Sequence, residues 1–201
     1  MKKLLYISIS ILSLSCKAQN PVYDITDLQH RVEDIHGAYY KDINNLLNPF
    51  EGTYIFEKNE NSLFKIVLQK KIMSSMNGYL FEDLIIGEYQ YIENGLEKVN
   101  TLNKLEIYDS NKRNHSIDGN LIITLGSVGC NDCQPGEKAI RGGLVDGSSN
   151  YTADLIIRRM IVNGQSAIKI WVGWRTGTSI YGQPAPASPS FKGTYYTLIK
   201  Q

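Results

Sequence analysis

Histidine, cysteine and proline are scarce in this 201-residue chain, which has three, three and six of them. His30, His36 and His115 are too scattered for a metal motif, and the first two stand six apart, off any one helical face. No serine occupies a Gly-x-Ser-x-Gly elbow, and no glycine-rich loop leads a strand into a helix to cradle phosphate. Charge of one sign is also lacking. The formal net charge is +1, with basic and acidic residues interspersed, so there is no basic stripe for nucleic acid. Beyond Leu14 no apolar run is long enough to span a membrane. Glu82 and Asp83 are neighbours, so on a strand they point to opposite faces and cannot work as an acid–base pair. These absences assign no catalytic residue, no metal and no cofactor, and the expectation is a protein that is not an enzyme. Carboxylates brought together by folding, as in a carbohydrate-active hydrolase, are invisible at this level and stay open.

What is there begins with the first fifteen residues. Lys2 and Lys3 precede an apolar stretch from Leu4 to Leu14, and Ser13-Leu14-Ser15-Cys16 follows. This is the layout of a signal peptide, and a cysteine after a small residue is that of a bacterial lipoprotein signal. Residues 1–15 are then expected to be removed and Cys16 to carry lipid, palmitate included, tying the protein to a membrane that it does not cross. The expected location is the cell envelope, as an outer-membrane lipoprotein. Ordinary secretion, with Cys16 incidental, is the alternative. Residues 16–23 are polar, contain Pro21 and read as a tether.

Residues 24–201 read as one β-rich domain with an N-terminal helical segment over 24–47. Ile25, Leu28, Val32 and Ile35 recur at helical spacing, Thr26 and Gln29 fit a capping box, and Gly37 ends the run. Residues 39–47 offer a second short helical piece. From Asn48 onward the grammar is that of strands. Phe64, Ile66 and Leu68 share one face, with Lys65 and Gln69 on the other. Asn94-Gly95 and Asn163-Gly164 are two-residue hairpin signals. Gly87 interrupts a strand pattern and suggests a bulge or bend. Leu105–Tyr108 offers a short strand, and 121–125 a buried one. About eight to ten strands at regular spacing give an all-β fold, an antiparallel lipocalin-like barrel or a sandwich. Gly-Thr-Tyr opens both the first and the last of these strands, at 52–54 and 193–195, as two neighbours at the seam of a closed barrel would.

The runs Tyr39-Tyr40-Lys41-Asp42, Leu47-Asn48-Pro49-Phe50, Val67-Leu68-Gln69-Lys70-Lys71 and Asp83 to Tyr89 resemble a family of uncharacterised Bacteroidetes lipoproteins. That resemblance implies no activity. Gly52-Thr53-Tyr54 resembles in addition the Gly-x-Trp that opens lipocalin-type barrels, with Tyr in place of Trp. The arginine such barrels carry late in the chain has its only counterpart in Lys200.

Cys130 and Cys133 form a C-x-x-C on a glycine-flanked loop. In an oxidising compartment they are expected to join in a disulfide, while a redox-active pair needs a helix start that Pro135 and Gly136 do not supply. Trp171, Trp174, Arg175 and Tyr181 precede a proline-rich loop and are the candidate ligand-binding cluster, the alternative being that the tryptophans belong to the core. Arg158 and Arg159 lie on opposite faces of one strand, so one points outward and the other needs a partner or a ligand. The leading expectation is a non-enzymatic envelope lipoprotein binding a small molecule or envelope component. A protein-interaction module of the envelope is the second reading, and the hydrolase is the third.

Overall fold

The computed structural model describes residues 20–31, 35–75, 78–106, 114–127, 130–149, 151–175 and 188–201. Strands dominate: β1 (Val22–Asp24), β2 (Tyr39–Lys41), β3 (Gly52–Asn59), β4 (Ser62–Ser75), β5 (Phe81–Glu93), β6 (Leu96–Asn100), β7 (Ile117–Ile123), β8 (Ala139–Val145), β9 (Thr152–Val162), β10 (Gln165–Trp174) and β11 (Tyr195–Lys200). The tight hairpins form where the turn dipeptides stand. Asn94 and Gly95 take φ of 53° and 77°, and Asn163 and Gly164 take 49° and 79°. These are the two positive values that a turn matching the twist of its strands requires.

The sheet closes on itself. Around the ring run β5, β4, β3, β11, β10, β9, β8 and β7, and β7 pairs back onto β5 through Ile85↔Gly119 and Gly87↔Ile117. This is an eight-stranded antiparallel barrel, so it keeps no unpaired edge around the ring. The seam joins β3 to β11 by Ile199↔Ile55 and Lys200↔Tyr54. β5 shares its second edge among three strands: β2 at Phe81 and Glu82, β7 in the middle, and β6 from Gln90 to Glu93. β1 adds to β2 in parallel. Gly87 carries no bulge; a Cβ there would stand 2.6 Å from Leu68 and 2.9 Å from the Val67 carbonyl, so its bare backbone lets β4 approach. The bulge lies instead on β4, where Ile72 and Met73 stand against Asp83 alone.

Among the described residues of segment 24–47 one short helix, α1 (Leu28–Arg31), forms, and 39–41 is a strand; residues 32–34 lie outside the described residues. The edge of β5 below Glu82 offers backbone partners to Tyr39 and Tyr40, and those pairings outweigh a weak local helical preference. Leu102–Glu106 is a 3-10 turn where a strand was expected nearby; residues 107–108 lie outside the described residues.

Inward positions alternate along each strand and fill the barrel. Tyr54, Phe64, Ile66, Leu68, Tyr89, Ile117, Leu155, Ile157, Ile168, Ile170 and Leu198 are all buried in one core. Each such side chain contributes about 1.5–3 kcal/mol over its exposed state.

Candidate functional site

The two ends of the barrel are finished differently. At one end Phe191 inserts among Phe64, Tyr89, Tyr91, Trp174 and Tyr196, with ring centroids 4.9–6.1 Å away. Asp146 holds this plug in place. Its carboxylate accepts from the amide and hydroxyl of Ser190 at 2.5 and 2.9 Å, and from Ser148 and Ser149. Burial alone pushes the Asp146 carboxyl up; the amides of Ser148 and Ser190 and the serine hydroxyls outweigh it and leave it below the ordinary value.

The other end, where β9 turns into β10, is open. Inward residues near the strand ends stand on the rim there. On this parity Arg159 follows Ile157, Lys200 follows Leu198, Ser166 precedes Ile168, and Lys138 precedes Ile140. Together with Phe50 and Tyr54 they line a cavity of about 730 Å³. The 3-10 turn Asn48–Phe50 forms one wall. Asp42 fixes that wall: its carboxylate accepts from the amides of Leu46 and Leu47 and from Lys70 Nζ at 2.7 Å. Lys70 also donates to Asn48, so its charge is committed.

Lys138, Arg159 and Lys200 form no ion pair with any described residue. Lys200 Nζ stands 5.8 Å from the centre of the Tyr54 ring. Burial raises the Tyr54 phenol above its ordinary value, and the Arg159 charge opposes that rise. Two cations from different strands therefore act on one tyrosine. Among the described residues Glu137 is the one carboxylate side chain lining this cavity, and Arg158 takes it from the outside, with Nε and Nη2 donating at 2.8 and 3.0 Å. Arg158 also donates to Asp132 at 2.7 Å and holds both carboxyls below the usual range. Of the arginine pair, Arg158 is thus the outward, partnered one and Arg159 the inward one.

The cluster read from sequence is split by the strand. Trp171 lies outside the barrel, half-buried against Leu121, Ile123, Ile156 and the Cys130–Cys133 disulfide. Trp174 faces inward, and its indole N–H donates to the Phe191 carbonyl at 3.0 Å. Arg175 is exposed and donates to Asp154 at 2.7 Å. Tyr181 and Cys16 lie outside the described residues. Among the described residues no three His, Cys, Asp or Glu side chains converge as a metal centre.

A second polar group lies on the outer face of β5. Glu88 Oε1 accepts from the Ser116 amide and pairs with His115 Nδ1 at 3.0 Å, with both side chains almost fully buried. Glu88 Oε2 and His115 Nε2 have no hydrogen-bond partner among the described residues.

With barrel and rim in view, the comparison with known families has a definite outcome. The chain belongs to DUF6705, a family of unknown function. The match covers residues 1–173. No curated protein and no solved structure matches the chain. In this DUF6705 member the matched region carries Lys138, Arg159 and Ser166 of the rim, while β11 and Lys200 lie beyond it. The rim was only partly visible in the sequence. The Arg158–Arg159 alternation marked one inward arginine, and Lys200 stood out only as a counterpart of a barrel arginine. Lys138 carried no signal beyond a cation at a strand start.

Proposed function

We propose that this protein is a non-enzymatic lipoprotein of the bacterial cell envelope, attached by lipid on Cys16, whose barrel binds a small molecule at its open end. The observation that carries this reading is the contrast between the two ends. Phe191 plugs one, the interior is packed, and a cavity of about 730 Å³ remains at the other. Such a volume is in the range of small-molecule sites. The lipoprotein-type signal and the resemblance to Bacteroidetes lipoproteins support an outer-membrane location. The Cys130–Cys133 disulfide agrees with an oxidising compartment. The hydrolase reading has less support, because Glu137, the one carboxylate side chain lining the cavity among the described residues, is held by Arg158.

Native mass spectrometry tests the reading. The chain from residue 16, with Cys16→Ser to remove the anchor, is purified gently from the envelope. An extra mass of a few hundred daltons, lost on denaturation, is expected. A bare monomer mass counts against the ligand and favours the interaction module instead. That second reading is supported by the bulge, where Ile72 and Met73 are 71% and 50% exposed.

A further inference from the structure

Three cations on the rim form no ion pair with any described residue. We infer that the open end of the barrel is an oxyanion site, taking the carboxylate or phosphate of an amphiphilic small molecule between Arg159 and Lys200, with Lys138 beside them. The inference rests on the binding reading above and names the ligand's chemistry. Its first support is convergence from separate strands. Lys138 precedes β8, Arg159 stands on the inward row of β9 one inward position before Ile161, Lys200 ends β11, and all line the one cavity. An array of like charges repels itself. Glu137 lines the cavity but is engaged by Arg158, and Glu51 adds its charge at Tyr54, so no described carboxylate forms an ion pair with the three.

Its second support is the way Lys200 is seated. Gly52 has no side chain, and Lys200 occupies the space a Cβ would take, with its Cε 2.5 Å from that point. The lysine is thus led inward across the seam, over Tyr54, when an outward course would place its ammonium in water. Its third support is the wall around the charges. Ile161 is 65% exposed and lines the same cavity as Phe50, Leu46 and Pro49. With Asn44, Asn45 and Ser166 also in the lining, the cavity is mixed, and cations beside its apolar patch fit a ligand with an anionic head and an apolar body. Arg159 offers a planar fork suited to either oxyanion, and Lys200 adds a point charge.

The test is a titration followed by amide NMR on the chain from residue 16 with Cys16→Ser, which keeps every described residue. The probes are octanoate, inorganic phosphate and the neutral hexanol. Octanoate is expected to shift the amides of Met160, Ala167 and Lys200, with phosphate doing so more weakly and hexanol least. Arg159→Gln and Lys200→Gln are each expected to weaken octanoate by about tenfold, as loss of one charge-assisted hydrogen bond does. Both residues are on the rim, and unchanged amide dispersion elsewhere reports that the barrel is intact; Lys138→Gln serves in place of a variant that fails this check. Octanoate binding that survives the double substitution overturns the oxyanion site. Hexanol binding as well as octanoate overturns it too, yet leaves the open end as a binding site. No shift with any probe removes both the oxyanion site and the binding reading. Where octanoate and phosphate both bind, native mass spectrometry of envelope-purified protein separates a lipid-derived ligand from free phosphate by mass.

Discussion

Lys200 lies across Gly52, on the neighbouring seam strand, where any larger residue would hold a side chain. Gly52 also has φ of 140°, a conformation that side-chain-bearing residues rarely adopt. Gly52→Ala is expected to cost about 1–3 kcal/mol from strain alone and to push Lys200 off the Tyr54 ring. Urea denaturation checks the first effect. Loss of octanoate affinity in the fraction that remains folded checks the second.

Glu88 and His115 make a buried pair with one unpartnered atom each. Removing a single member leaves the other polar group stranded, so His115→Ala and Glu88→Gln are each expected to destabilise by about 3 kcal/mol. Replacing both by apolar residues of similar volume, Glu88→Leu with His115→Phe, is expected to cost less than the sum. A double-mutant cycle measured by chemical denaturation decides this. Strict additivity would show that the two side chains do not depend on one another.

Asp146 fastens the loop that carries Phe191 into the barrel. Its folded carboxyl sits below the ordinary value, so its contribution is present above about pH 4 and is lost as pH falls through the depressed folded value. Asp146→Asn is expected to lower stability at neutral pH by about 2 kcal/mol or more. It is also expected to flatten the acid limb of the stability profile. Denaturation curves between neutral pH and the acid limit, wild type against variant, measure both. Equal acid limbs would mean that other carboxylates set acid sensitivity.

The Cys130–Cys133 bridge packs on Ile156 and Trp171 outside the barrel. It closes a very short loop, so reduction is expected to cost only about 2 kcal/mol and to leave the barrel closed. Disulfides quench nearby indoles, and Trp171 emission is expected to rise on reduction. Replacing Trp171 by Phe should abolish that rise, while Trp174→Phe should not. A collapse of the fold on reduction would show that the outer cluster supports the barrel.

Much of this architecture is local and was legible in the chain. Asn94-Gly95 and Asn163-Gly164 dictate tight hairpins because their backbones accept positive φ. Two-residue alternation along 62–70 and 152–172 sorted Phe64, Ile66, Ile168 and Ile170 to one face, and separated Arg158 from Arg159. The matching Gly-Thr-Tyr openings at 52 and 193 suggested a seam, and β3 does pair β11. The stretch 24–47 was less legible, because its strands exist only by pairing with the free edge of β5. Trp171 and Trp174 are three apart, and an odd step along a strand sends them to opposite faces.

The sequence by itself determined most strands of the barrel, their tight turns, which side chains share a face, and the family. Only closure decided which face became the interior, and which residues meet at its rim. Lys138, Arg159 and Lys200 lie far apart along the chain, and each by itself is an ordinary cation at a strand end. Register and stagger around eight strands bring them to one opening, and those are set by hydrogen bonds between strands distant in sequence, which no local pattern records.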